Sequence, residues 1–387
     1  MSETIEPFTI AATDEQLDDL RDRVRRTRWP REIGDNEAWQ AGANLAYMRE
    51  LTEHWLTSYD WRTREAAMNA LPQYRTTIDG VPIHFIHVQG KGPNPTPLIL
   101  NHGWPWTFWD MRKIIRPLAD PASNGGDPAD AFDVIVPSLP GFAFSSPLDR
   151  PGVNFFETAH LWVKLMDRLG YDRFATQGGD FGAMVSAVLG HAYPDRVIGA
   201  HLHFIAPIKP PYPEPTDFEP HEYAWGTKTQ TFMQDGNGYM QIQRTRPQTP
   251  AFALNDSPVG LAAWLVEKRY AWADIRDGLE AVFSNDDLLD TVMLYWLTET
   301  YVSSARYYYE ARPGNAGPVH DRVPVVEAPV GVLQFAEDVM PQPRRWAERY
   351  YNLTRWNVAD KGGHFAPMEV PDLMIDDIRA FFREFRT

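Results

Sequence analysis

Cysteine is absent from the 387 residues, which excludes disulfides, thiol nucleophiles, Cys-based zinc sites and iron–sulfur clusters together. Basic excess is absent too. Lys and Arg number 37 against 52 Asp and Glu, and the resulting net charge of −15 disfavours nucleic acid or an anionic membrane as partner, since both need a basic face. No apolar run approaches the roughly 18 residues of a membrane span. Met1-Ser-Glu-Thr-Ile-Glu6 carries acid where a secretory signal carries base, and no apolar segment follows it. A cytoplasmic protein without a membrane anchor is therefore expected. What is abundant is hydrophobic and aromatic: 43% and 13% of the chain, enough for a large core and for an aromatic-lined cavity. At about 150 residues per domain, the length allows two to three.

The chain opens with helical spacing. Thr13 is a candidate N-cap before Leu17, Leu20 and Val24, and further helices are expected over 45–59 and 63–71. The period then shortens to that of strands over 74–78, 83–88, 97–101 and Phe132–Pro137, punctuated by Asp79-Gly80 and the cluster Gly90 to Pro95. Strand–helix alternation follows: helix 158–169, strand 173–177, helix 181–191, strand 196–204. Such alternation predicts an α/β protein with a mostly parallel central sheet covered by helices on both faces. A Pro-rich stretch from 206 to 220 interrupts it, and residues to about 310 read as helical and aromatic, with Ser257-Pro258 as one helix start. Strands return over 329–335 and 354–358, and a final helix is expected from 371 to 385. The expected organisation is an N-terminal extension (1–90), a core in two parts (91–205 and 321–387) and a helical cap between them (206–320).

Gln177-Gly-Gly-Asp180-Phe-Gly182 lies between a strand and a helix, the setting of a nucleophile elbow, with Asp where Ser is usual. His102-Gly-Trp104-Pro105 follows a buried strand, where an oxyanion-binding loop belongs, so the backbone N–H groups of Trp104 and Phe181 are the candidate pair, and Trp104-Pro105 is a candidate cis bond. Asp360-Lys-Gly-Gly-His364 follows a later strand and offers a general base; Glu337-Asp338, just past strand 329–335, offers two acids to orient it. Each motif alone also fits ordinary packing or an exposed loop. Together, Asp180, an acid and His364 keep the nucleophile–acid–base order of α/β-hydrolases. An Asp nucleophile suits attack on an alkyl carbon, because attack on an acyl group would leave an anhydride. The leaving group is then an epoxide oxygen, which needs a proton, or a halide, which needs only weak donors. Gly238-Tyr239 and Tyr307-Tyr308-Tyr309 in the cap can supply phenolic donors.

With these motifs in hand, the sequence resembles the microsomal-type epoxide hydrolases, a family that includes the juvenile-hormone epoxide hydrolases and bacterial members. The resemblance spans nearly the whole chain and rests on His102-Gly-Trp-Pro105, Gly178-Gly-Asp-Phe-Gly182, Gly238-Tyr-Met240, the stretch 253–263, Val292-Met-Leu-Tyr-Trp296 and Gly362-Gly-His-Phe365. It implies an α/β-hydrolase fold with an N-terminal helical extension and a cap, needing no cofactor and no metal. By position it implies Asp180 as nucleophile, His364 as base, Asp338 rather than Glu337 as the triad acid, and Tyr239 and Tyr308 as the oxygen-binding pair. Mammalian members begin with a membrane anchor; no such anchor, and so a soluble enzyme, is expected here. Haloalkane dehalogenases, the alternative reading, place Trp where this chain has Phe181. The expected substrate is a small-molecule epoxide, aryl or bulky, in a pocket to which His102, Trp106 and Phe144 are assigned; a homodimer is possible on this reading. Arg-rich, Lys-poor usage fits a bacterial source, where relatives serve catabolism or antibiotic biosynthesis.

Overall fold

The computed structural model describes residues 4–205, 212–311 and 320–386. Nine strands form one sheet: β1 (Glu6–Phe8), β2 (Gln73–Ile78), β3 (Val81–Val88), β4 (Thr96–Asn101), β5 (Phe132–Pro137), β6 (Phe174–Gly178), β7 (Val197–Leu202), β8 (Val326–Phe335) and β9 (Tyr351–Ala359). Their spatial order is β1-β2-β3-β5-β4-β6-β7-β8-β9. The first three strands and the β3–β5 pair run antiparallel; every pair from β5–β4 to β8–β9 is parallel. The central strands carry short apolar runs such as Leu98-Ile-Leu100, buried because helices cover both faces, whereas the edge strand β9 is largely polar and only partly buried. This is the expected architecture. β1 lay outside the sequence expectation: three residues carry no strand period, and Glu6–Phe8 is a strand only because it adds to the edge of β2.

The N-terminal extension holds α1 (Asp14–Arg25), α2 (Leu45–Thr57) and α3 (Trp61–Asn69). Thr13 caps α1 with a full capping box to Gln16, and the Asp60 side chain, accepting from Arg62 N–H, starts α3 two residues earlier than its apolar pattern does. α4 (Arg112–Ala119), α5 (Phe155–Leu169) and α6 (Asp180–Ala192) cover the core sheet. Between β7 and β8 the chain builds the cap from α7 (Tyr223–Thr231), α8 (Gly238–Thr245), α9 (Gln248–Leu254), α10 (Pro258–Trp272), α11 (Leu279–Val282), α12 (Asn285–Leu297) and α13 (Tyr301–Glu310). Ser257 caps α10 with Pro258 in its first turn, as its sequence indicates. The stretches 206–211 and 312–319, at the expected cap boundaries, lie outside the described residues. α14 (Arg344–Tyr350), α15 (Ala366–Glu369) and α16 (Pro371–Phe382) complete the chain.

One buried carboxylate joins extension, core and cap. Asp290 of α12 is 1% exposed and accepts from the Arg64 guanidinium (2.6 Å), Tyr59 Oη (3.0 Å) and Trp109 Nε1 (3.0 Å). With Arg64 Nε also donating at 2.9 Å, four N–H and O–H donors on one carboxylate satisfy a group that would otherwise be costly to bury.

Candidate active site

The elbow forms where β6, α6 and β4 approach too closely for side chains. A Cβ on Gly178 would lie 2.3 Å from the carbonyl oxygen of Gly182, and one on Gly182 would lie 2.1 Å from the carbonyl oxygen of Asn101 in β4. Between them Asp180 takes φ +49°, a left-handed conformation unusual for a residue other than glycine, and this strain presents its carboxylate at the top of the sheet. Gly103 meets it from the neighbouring loop; a Cβ there would sit 2.3 Å from Asp180 Oδ1. Trp104 N–H donates to the same oxygen at 2.7 Å, next to the cis Trp104–Pro105 bond. Phe181 is the second residue of α6, so its N–H has no acceptor within the helix.

The other carboxylate oxygen faces His364. Nε2 lies 3.3 Å from Asp180 Oδ2, an ionic contact short of hydrogen-bond alignment, while Nδ1–H donates to Asp338 Oδ1 at 2.9 Å. Burial alone would lower the His364 pKa, but the Asp338 and Asp180 carboxylates reverse that and push it up to about 10. The two adjacent acids are sorted by geometry: Asp338 is fully buried against the imidazole, whereas Glu337 turns outward to Lys228 Nζ at 2.9 Å.

From the cap, Tyr239 of α8 and Tyr308 of α13 converge with their hydroxyl oxygens 3.5 Å apart. The Tyr239 ring is stacked on Trp104 at 5.0 Å, and Tyr308 packs on Phe181 at 4.6 Å, so the two residues flanking the nucleophile also seat the phenols. Burial, reinforced by the Asp180 charge, raises both phenol pKa values and keeps them protonated donors. Asp180, Phe181, His364, Tyr239 and Tyr308 open onto one cavity of about 1150 Å³, walled by side chains such as Phe155, Met184, Phe204, Phe232 and Trp272.

Three expected pocket residues lie elsewhere, and their roles are corrected. His102 is buried behind the loop: Nδ1–H donates to Gly103 O and Nε2 accepts from Leu139 N–H, both at 3.0 Å, and burial lowers its pKa to about 4. Trp106 stacks on His203 and packs edge-on behind His364. Phe144 sits among Phe8, His84 and Phe108. An aromatic near a motif is placed by the turn of its loop, which sequence proximity does not reveal. Conversely, Trp272 and Glu369 touch the base or its loop and escaped sequence reasoning, because neither lies in a recognisable motif. Among the described residues no group of three or more His, Asp or Glu is arranged to hold a metal ion.

With the geometry established, comparison with known proteins is direct. The profile of the epoxide hydrolase N terminus matches residues 5–111, and that of the alpha/beta hydrolase fold matches residues 96–244. A putative epoxide hydrolase of Stigmatella aurantiaca is 44% identical over 385 residues, 99% of this chain and 86% of that protein. The chain belongs to the epoxide hydrolase family. Epoxide hydrolase 1 of Oryctolagus cuniculus is 36% identical across 98% of this chain and 89% of its own. The structure of the Aspergillus niger epoxide hydrolase superposes with a TM-score of 0.88 at 30% identity, covering 100% of this chain and 97% of that one. The juvenile hormone epoxide hydrolase of Bombyx mori gives a TM-score of 0.88 at 27% identity, covering 100% and 95%. Fold and family are those implied by the motifs. Among the described residues no helix is long and apolar enough to cross a membrane.

Proposed function

We propose that this epoxide hydrolase works through a covalent aspartyl ester and acts on apolar, aryl or bulky epoxides. One observation carries the reading. The Asp180 carboxylate is held at Oδ1 by an amide and faces His364–Asp338 at Oδ2, beneath two converging phenols. Asp180 attacks one epoxide carbon, the C–O bond opens, and Tyr239 and Tyr308 donate to the departing oxygen. Esterification removes the Asp180 negative charge, so the His364 pKa falls; the imidazolium gives up its proton, which restores the phenol that protonated the alkoxide, and the imidazole becomes a base. It takes a proton from water, which attacks the ester carbonyl; the N–H groups of Trp104 and Phe181 stabilise the tetrahedral oxyanion. Collapse breaks the ester C–O bond and His364 returns that proton to the leaving diol oxygen; the vicinal diol leaves, and the Asp180 acid, now carrying one solvent oxygen, passes its proton to His364. Two phenols favour the epoxide over the haloalkane reading, because an alkoxide needs a proton and a halide does not.

The apolar substrate class follows from the lining. Among the described lining residues the one Lys or Arg is Arg244, and its guanidinium turns to the exposed Gln241. A role in catabolism or antibiotic biosynthesis belongs to the same proposal. The test is single-turnover hydrolysis of styrene oxide in oxygen-labelled water, with intact-mass measurement of wild type and His364→Gln. Unlabelled oxygen in the first-turnover diol and a substrate-sized adduct on the variant support the scheme. Label entering the diol directly overturns it, and halide release from haloalkanes without diol formation would replace it with the dehalogenase reading.

A further inference from the structure

Glu369, the last residue of α15, is a half-buried carboxylate that the reaction does not use. Its two oxygens accept three backbone N–H groups. Oε1 takes Phe365 N–H at 2.7 Å; Oε2 takes Gly363 N–H and Asp274 N–H, each at 2.8 Å. Residues 363 and 365 flank His364, and Asp274 lies just past the end of α10 in the cap. The intervening N–H of His364 donates to Trp272 O at 3.0 Å, and Gly362 N–H donates to Asp274 Oδ2 at 3.1 Å. Every backbone donor from 362 to 365 is therefore occupied, and all four bonds end on the cap or on the carboxylate bridging to it. The fit is tight: a Cβ on Gly363 would stand 2.7 Å from Asp274 N and 2.8 Å from Trp272 O.

We infer that Glu369 is a positioning residue for the His364 base, clasping its loop to the cap so that the imidazole is aimed at the water attacking the aspartyl ester. The inference rests on the covalent scheme above. In that scheme His364 accepts a proton only in the second half-reaction, so loosening its loop slows hydrolysis of the ester and spares its formation. A general structural role would depress both steps together.

The discriminating variant is Glu369→Gln. A carboxamide is isosteric, yet it offers one acceptor oxygen and turns an N–H₂ toward N–H groups that need acceptors. Burial holds the Glu369 carboxyl up at about 7, against the pull of its three N–H donors, so the comparison is made at about pH 9, where it is ionised. Rapid-quench turnover of styrene oxide with intact-mass detection measures both rate constants. The expected result is alkylation within about twofold of wild type and hydrolysis slowed roughly 10- to 100-fold, with the alkyl-enzyme accumulating, since a misplacement of about 1 Å can cost about 100-fold. Equal loss in both steps, or no change in either, overturns the inference. If Glu369→Gln does not fold, Glu369→Asp keeps the charge but withdraws it by one methylene; the same split at smaller amplitude is expected, and its absence also overturns the inference. Failure of wild type and His364→Gln to form any adduct would instead remove the covalent scheme itself.

Discussion

Removing the Tyr239 hydroxyl tests the oxygen clamp with little else disturbed. Tyr239→Phe keeps the ring that stacks on Trp104 at 5.0 Å, and the lost hydroxyl has Tyr308 Oη as its recorded partner at 3.5 Å, a long contact. Folding stability is therefore expected to change little. The effect falls on the transition state, where negative charge grows on the epoxide oxygen beside two buried phenols. Losing one preorganised donor to such a charge costs about 2.7–4 kcal/mol, or about 10²–10³ in rate. Because Tyr308 remains to share the charge, the single variant belongs at the lower end, about 10²-fold slower in alkylation. Tyr308→Phe should behave alike, and the double variant should lose substantially more than either. The assay is the single-turnover rate of alkyl-enzyme formation, read by rapid quench and mass. Hydrolysis of preformed ester should be nearly unaffected, since no phenol acts on the acyl oxygen. A double variant that alkylates within about tenfold of wild type would refute the assignment of both tyrosines.

Other perturbations reach different parts of the site. Gly103→Ala places a methyl 2.3 Å from Asp180 Oδ1, so the carboxylate must leave the Trp104 amide; alkylation should become undetectable in an otherwise folded protein, and wild-type rates would contradict the geometry. Two carboxylates hold His364 up to about 10, so Asp180→Asn should bring its titration down, as followed by imidazole NMR; an unshifted titration would mean Asp180 does not contact the ring. Since this folded value exceeds the ordinary 6.5, the ionic contact stabilises the fold fully below about pH 6.5 and is lost as pH rises through about 10. Asp290→Ala strands the Arg64, Tyr59 and Trp109 donors; breaking a buried pair costs about 3–5 kcal/mol, and Arg64, 22% exposed, sets the lower end of about 3 kcal/mol. Urea unfolding measures this, and a loss under about 1 kcal/mol would show that the clasp does not hold extension and cap together.

Much of this protein is written locally. The central strands are apolar runs bounded by turn residues, α1 and α10 announce themselves by Thr13 and Ser257-Pro258, and the Gly-Gly-Asp-Phe-Gly elbow carries its own close-approach requirement. Each depends on a few neighbouring residues, so the sequence alone determined the fold class and picked out Asp180, His364 and the cap tyrosines. What it left open depends on contacts between distant segments. The motif by itself did not sort Glu337 from Asp338, which only the resemblance assigned to Asp338; past the end of β8 the folded chain turns Asp338 inward to His364 and Glu337 outward to Lys228 of the cap. His102, Trp106 and Phe144 are close in sequence to active-site segments, yet loop packing turns all three away from the cavity. Glu369 reads as an unremarkable acid in a short helix. Its position became legible only when folding brought backbone donors from residues 274, 363 and 365 onto one half-buried carboxylate, because those donors are satisfied by proximity in space rather than in sequence.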